Sequence, residues 1–212
     1  MKNKSDIGAM LKEAAILFGI TLIAGLLLGF VYELTKEPRR LQQEKAVQEA
    51  CIAAFPEAKE QGIQLQFEAA DYVPREELAA ELAENNVEIG AVFGAYDNGA
   101  LYGYVVESAS SKGYGGAIVL YVGVGTDGTV QGVSITDISE TPGLGMEAPN
   151  VLTPQFEGKR VESFVFTKTG AAAENEVDAI SGATITTRAV TNAVNGGLKA
   201  ALELLGGGAV NE

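Results

Sequence analysis

Val87-Glu-Ile-Gly-Ala-Val-Phe-Gly-Ala-Tyr-Asp-Asn-Gly-Ala-Leu-Tyr-Gly-Tyr-Val-Val-Glu107 reads as a β-rich run folded back on itself. Val87–Tyr96 and Leu101–Glu107 flank Asp97-Asn98-Gly99, a favoured hairpin turn because Asn-Gly accepts the left-handed backbone that a tight reversal needs. Ala117–Val124 and Thr129–Ile138 repeat the arrangement around Thr126-Asp127-Gly128, and a further β-rich run covers Val161–Lys168. Upstream, Ile63-Gln-Leu-Gln-Phe67 alternates apolar and polar residues as a half-buried strand does. Pro74 to Asn85 reads as a short acidic helix with proline near its first turn, and Pro56 to Gly62 as a break. Strands joined by tight hairpins, with helices at the margins, predict an α+β domain: an antiparallel sheet with flanking helices. No Gly-x-Gly-x-x-Gly leads from a strand into a helix and no Walker loop is present, which argues against dinucleotide and nucleoside-triphosphate folds.

Outward from this core, the N-terminal part changes character. Ala14 to Tyr32 is a run of nineteen residues without a charge. At about 1.5 Å per residue it is long enough for the hydrocarbon thickness of a bilayer. A cleaved signal peptide would have a shorter apolar run and a small-residue exit, whereas this run leaves through Tyr32-Glu-Leu-Thr-Lys-Glu-Pro-Arg-Arg40. One retained transmembrane helix is therefore expected over 14–33. Lys2, Lys4 and Lys12 precede it and Lys36, Arg39, Arg40 and Lys45 follow, so charge does not orient it. Gly25 and Gly29 share one helix face with room for a neighbouring helix, but glycine is also common in such helices. After Pro38, residues Arg39 to Phe55 read as a second helix, with Leu41, Val47 and Cys51 on its apolar positions.

The chain has 212 residues and a net charge of −13, unevenly spread. Residues 1–40 hold six Lys/Arg and four Asp/Glu; residues 41–212 hold nine and twenty-four. So acidic a soluble part lacks the basic face that nucleic acid requires, and no nucleic-acid partner is expected. There is no histidine and no tryptophan. Histidine-based acid–base chemistry, His-ligated haem and most zinc sites are thereby removed, and no metal site is expected. The lone Cys51 cannot form an internal disulfide or hold an iron–sulfur cluster by itself. Chemistry on this chain must come mainly from a cofactor.

Near the C-terminus, Asp178-Ala-Ile-Ser-Gly-Ala-Thr-Ile-Thr-Thr187 precedes Val190, Val194, Leu198, Ala201 and Leu205, which mark one apolar helix face. The hydroxyls of Ser181, Thr184, Thr186 and Thr187 therefore gather where a helix begins. Unpaired backbone N–H groups and the positive dipole end make that a suitable place for a phosphate. Ordinary capping by Ser181 or Thr184 is the alternative reading. Gly113-Tyr114-Gly115-Gly116 could bend a strand entry or let backbone approach a flat ligand. Ser139-Glu140-Thr141-Pro142-Gly143-Leu144-Gly145 contains a natural turn at Thr141–Gly143.

These three blocks, in this order, resemble the FMN-binding domain family. In that family an acid is followed three residues later by Ser/Thr-Gly-Ala-Thr. Together with the single N-terminal span, the whole chain is similar to the G-subunit family of the Rnf complex, and beside it to the C-subunit family of the Na⁺-translocating quinone reductase. The resemblance implies FMN joined covalently, by a phosphoester, to Thr184 within Ser181-Gly182-Ala183-Thr184, chosen by motif position over the rival attachment sites Ser181, Thr186 and Thr187, with a separate flavin transferase making the bond. It implies flavin contacts from Glu140, Thr141, Leu144, Gly145 and Tyr114, and a role for Asp178 in presenting the motif; no residue is expected to be catalytic. It further implies a short cytoplasmic tail (1–13), the span (14–33), a juxtamembrane and accessory region (34–86), the FMN-binding domain (87–206) outside the cytoplasm and a flexible tail (207–212). The expected partners are other membrane subunits of the Rnf complex, the transferase and membrane lipid. The expected activity is electron flow between ferredoxin and NAD coupled to Na⁺ or H⁺ movement. A stand-alone membrane flavoprotein reductase and a non-redox adaptor or sensor domain are the readings of other classes.

Overall fold

The computed structural model describes residues 4–207, with side chains described over 10–206; residues 1–3 and 208–212, parts of the two predicted tails, lie outside the described residues. The chain divides after Lys45 into two compact units.

A single helix (α1, Lys4–Ala53) runs through the apolar segment and beyond it; its residues up to Lys45 belong to the first unit and Ala46–Ala53 to the second. Its large apolar side chains from Met10 to Leu34 are exposed on every side. A helix apolar all round suits lipid rather than a soluble core, and this one is long and apolar enough to cross a membrane. The helical break expected at Pro38 does not occur, since α1 passes through it. A proline there removes one helical hydrogen bond, but the flanking residues are strong helix formers. Arg40 also pairs with Glu37 and Glu44 at 3.1 and 3.6 Å, bracing the turns after the proline.

The second unit is the α+β domain. A five-stranded sheet has the order β1 (Gln66–Ala70), β2 (Val87–Asp97), β3 (Ala100–Ser110), β4 (Ile118–Gly125), β5 (Val130–Asp137), with antiparallel neighbours throughout. Asn98 and Gly99 take positive φ between Asp97 and its partner Ala100, the tight hairpin that the sequence predicts. The ladder of β1 begins at Gln66 rather than Ile63. Ile63 and Leu65 instead pack under the end of α1. The expected break at 56–62 contains a one-turn helix (α2, Pro56–Glu60), started by proline at its first turn. Helix α3 (Glu76–Asn85) follows Pro74.

Both sheet faces are covered. The long C-terminal helix α5 (Thr184–Gly207) lies on one face, where Val190, Val194 and Leu198 pack with Val106, Leu120 and Val122. On the other face, Ala50, Cys51, Ala54 and Phe55 bury Val105 and Tyr121. Alternate residues of β3 and β4 thus serve two cores. The β-rich run 161–168 contributes only β6 (Val165–Thr167), which pairs in parallel with β7 (Glu176–Asp178) outside the main sheet. The Asn195 side chain pins this pair to α5 by accepting the Phe164 N–H at 2.7 Å and donating to its carbonyl at 2.9 Å. Between β5 and β6 the chain makes short helical turns at Gly145–Glu147, α4 (Ala148–Val151) and Thr153–Gln155.

Candidate functional site

Helix α5 opens without a side-chain cap. The first intrahelical bond runs from the Thr187 N–H to the Ala183 carbonyl at 2.9 Å, which makes Ala183 the N-cap. Alanine has no side-chain oxygen, so capping by Ser181 or Thr184 does not occur. Among the described residues, no acceptor takes up the N–H groups of Thr184, Ile185 and Thr186. They remain free at the positive end of a 24-residue helix.

The hydroxyls around this terminus have separate fates. Thr187, fully buried, donates to the Ala183 carbonyl at 2.9 Å and accepts the Ile180 N–H at 3.2 Å. Thr186, 1% exposed, donates to Glu140 Oε2 at 3.0 Å. Thr184 is half-buried and its hydroxyl makes no hydrogen bond to the described protein; it opens on a cavity of about 450 Å³. Ser181 is exposed on the preceding turn and does not line that cavity.

Eight of the ten residues singled out in the sequence do line it: Tyr114, Glu140, Thr141, Leu144, Gly145, Gly182, Ala183 and Thr184. Tyr114 and Leu144, 70% and 38% exposed, give it apolar walls. Ile185 and Thr186 complete the lining; Thr186 was among the hydroxyls expected at the helix start, whereas Ile185 was not expected and its only sequence signal is adjacency to Thr184. Glu140 holds the three blocks together. Its Oε1 accepts the N–H of Tyr114 at 2.7 Å and of Gly115 at 3.3 Å, while Oε2 takes the Thr186 hydroxyl. The backbone packs so closely here that a Cβ on Gly115 would overlap the Ser139 carbonyl oxygen, and one on Gly145 would lie 2.6 Å from Thr186 Oγ1. The glycines of both blocks therefore serve close approach.

Asp178 lies apart, exposed on β7. Its carboxylate accepts the Ala171 N–H at 2.7 Å, and its backbone N–H and carbonyl meet the two ends of the Gln155 amide at 2.6 and 3.2 Å. Glu176 accepts the N–H groups of Ala172 and Ala173, which hold its carboxyl below the usual carboxylate range. Both acids shape the loop before the motif. The Gln155 clamp had no signal in the sequence, because it joins residues 23 apart.

The residues present fit a flavin mononucleotide. Three free N–H groups and a dipole end suit a phosphate, an accessible hydroxyl stands beside them, and apolar side chains line a cavity in the size range of cofactor sites. No cluster of His, Cys, Asp or Glu that could hold a metal occurs among the described residues.

The chain matches the model of the FMN-binding domain over residues 113–199, which spans all three blocks. It is 32% identical over 200 residues to the G subunit of the Na⁺-translocating ferredoxin:NAD⁺ oxidoreductase complex of Acetobacterium woodii, covering 92% of each chain. It is 31% identical to the G subunit of the ion-translocating oxidoreductase complex of Methanosarcina acetivorans, covering 90% of this chain and 94% of the other. The crystal structure of the C subunit of the Na⁺-translocating NADH-quinone reductase from Parabacteroides distasonis shares the fold, with a TM-score of 0.54 at 22% identity over 78% of this chain and 94% of that one. With a relative matched along nearly its whole length and an FMN-binding domain built around α5, the chain belongs to the family of G subunits of ion-translocating oxidoreductase complexes of the Rnf type.

Proposed function

We propose that this chain is a membrane-anchored electron-transfer subunit carrying FMN joined by a phosphoester to the Thr184 hydroxyl. The supporting observation is the contrast among the motif's threonines: Thr186 and Thr187 are buried and committed, while Thr184 stands free on the cavity beside three unpaired N–H groups. Bound FMN would supply the one- and two-electron chemistry that a chain with no histidine and one buried cysteine cannot.

The protein's own part is to hold and shield. The N–H groups of Thr184, Ile185 and Thr186 neutralise the single negative charge of a phosphodiester at the helix end. Leu144 and Tyr114 offer apolar surface to the flat ring, and Thr141 with the nearby backbone amides offers polar contacts to its edge. Glu140 fixes the spacing of these walls. Asp178, ordering the loop ahead of the motif, presents Thr184 to a flavin transferase. No residue acts as a catalytic acid or base, and the covalent tether removes loss by dissociation.

On this reading α1 anchors the chain over 14–33, with the flavin domain on the extracytoplasmic side. The relay passes electrons between other membrane subunits of an Rnf complex, whose overall reaction couples ferredoxin and NAD to Na⁺ or H⁺ movement. The test is to isolate the native protein, denature it, look for flavin fluorescence on the band, and map the modified peptide by mass spectrometry. FMN on Thr184 is expected. Flavin on Thr186 or Thr187 would move the site. Native material without covalent flavin would overturn the reading and leave a non-redox adaptor. Expression without the transferase should give a folded, unmodified chain.

A further inference from the structure

Ile185 forms a wall of two cavities. One is the Thr184 cavity; the other, of about 370 Å³, carries Lys112 and Arg188 on its lining together with the amides of Asn85, Asn86 and Asn192. Lys112 stands just before the Gly113–Gly116 block, and Arg188 lies one turn along α5 from Thr184. The Arg188 guanidinium rests 5.7 Å over the Phe166 ring, which limits its freedom while leaving its N–H groups available. Neither cation has an ion-pair partner among the described residues. Residues 41–212 hold twenty-four acidic side chains against nine basic ones, so two unpaired cations on one cavity form a local exception. Glu84 is the single acid on that lining. Next to the cations, Tyr114 and Ile185 expose apolar surface, at 70% and 53%.

We propose that this corner is where another member of the same complex docks to exchange electrons with the flavin, presenting a carboxylate to Lys112 and Arg188 and apolar side chains to Tyr114 and Ile185. The proposal rests on the flavin reading above. A polyanion or an anionic bilayer would meet the acidic remainder of the domain and be repelled. A folded partner offering one or two carboxylates amid apolar residues meets only the cationic corner. The shared Ile185 wall places the contact beside the cavity of Thr184, where a short electron path is needed. Charges at such a rim steer encounter and fix orientation, and their effect weakens with salt.

The test uses the whole purified complex. A carbodiimide, which joins an amine to a carboxylate without a spacer, is applied and the Lys112 peptide is mapped. The expected product links Lys112 to an Asp or Glu of a different polypeptide of the complex; Lys112→Arg, which offers no amine, serves as the control for that chemistry. In parallel, Lys112→Glu with Arg188→Glu should leave covalent flavin content unchanged. It should lower electron transfer through the complex by about tenfold at low ionic strength and flatten its dependence on salt. A link to a second copy of this chain, no link at all, or unaltered rate and salt dependence in the double variant would each overturn the proposal. Wild-type complex lacking covalent flavin would instead overturn the flavin reading, so the two failures are separable.

Discussion

Two carboxylates in this domain do nearly the same local job with different consequences. Glu107, on the face of the sheet covered by the end of α1, accepts the Ala91 N–H at 3.1 Å where β2 bulges between Ile89 and Val92, and it stands opposite Tyr121 across the β3–β4 ladder. Glu140, at the margin of the α5 face, accepts two N–H groups of the Gly113–Gly116 block and the Thr186 hydroxyl. Each clasps an irregular, glycine-containing backbone. Glu107 does so against a closed layer holding Cys51 and Tyr121, whereas Glu140 forms the wall of an open cavity next to an uncapped helix. A carboxylate that clasps backbone N–H groups is therefore not in itself a functional signal. What distinguishes the site is the adjacent set of donors left without partners.

The sharpest way to break this parallel is at the glycines. A Cβ on Gly115 would overlap a backbone oxygen, that of Ser139, which cannot swing aside. A Cβ on Gly90 would meet the Glu107 carboxyl end at 2.8 Å, the far end of a flexible side chain. Gly115→Ala should destabilise the domain by about 3 kcal/mol and abolish covalent flavin. Gly90→Ala should cost about 1 kcal/mol or less and leave flavin content intact. Urea midpoints and flavin-to-protein ratios measure both. Equal losses at the two positions would mean that the bulge is as rigid as the site.

The next largest effect separates the clasps themselves. Glu140→Ala strands two backbone donors and the Thr186 hydroxyl and should cost about 2–3 kcal/mol. Glu140→Gln should recover most of this, since its carbonyl can take the Tyr114 and Gly115 N–H groups while its amide donates to Thr186 Oγ1. Flavin loading should follow the same order: wild type, then Gln, then Ala. Glu107→Ala should cost about 1 kcal/mol, because water can reach the exposed Ala91 N–H. If Gln behaves as Ala does at position 140, charge rather than hydrogen bonding holds the site together.

How far the sequence reaches follows from the range of each interaction. The hairpins around Asn98-Gly99 and Asp127-Gly128 were legible because a tight turn is a local event with its own residue chemistry. The pairing of β6 with β7 was not, for three parallel rungs depend on a partner eleven residues away and on Asn195 of α5. Pro38 misled because proline is a local signal, and the helix on both sides overrides it. In the site, the helix start and its phosphate-friendly end were readable from Thr184 onward. That Glu140 and Tyr114 stand beside them came from family resemblance, since no spacing rule connects residues 114, 140 and 184. That Ser181 faces away and Thr186 is engaged is a matter of side-chain direction, which the string Ser-Gly-Ala-Thr leaves open.

The smallest effect centres on the closed face. Burial, and secondarily the Glu107 charge, push the Cys51 thiol up to about 12. Burial first, with Glu107 adding to it, also raises the Tyr121 phenol above its ordinary range. Both groups stay protonated in the folded domain and ionise more readily once unfolded. Their contribution to stability is therefore complete below the unfolded thiol pKa of 9.0 and is lost as pH rises from there toward the folded value. Stability should be level from pH 7 to 9 and fall by on the order of 1 kcal/mol by pH 10. Cys51→Ala with Tyr121→Phe should flatten that fall, as read from denaturant midpoints at pH 8 and 10. The Glu140 variants, compared at the same two values, should keep the wild-type slope because they leave the closed face untouched. A slope that changes with Glu140 instead would mean that the two faces of the sheet titrate as one unit.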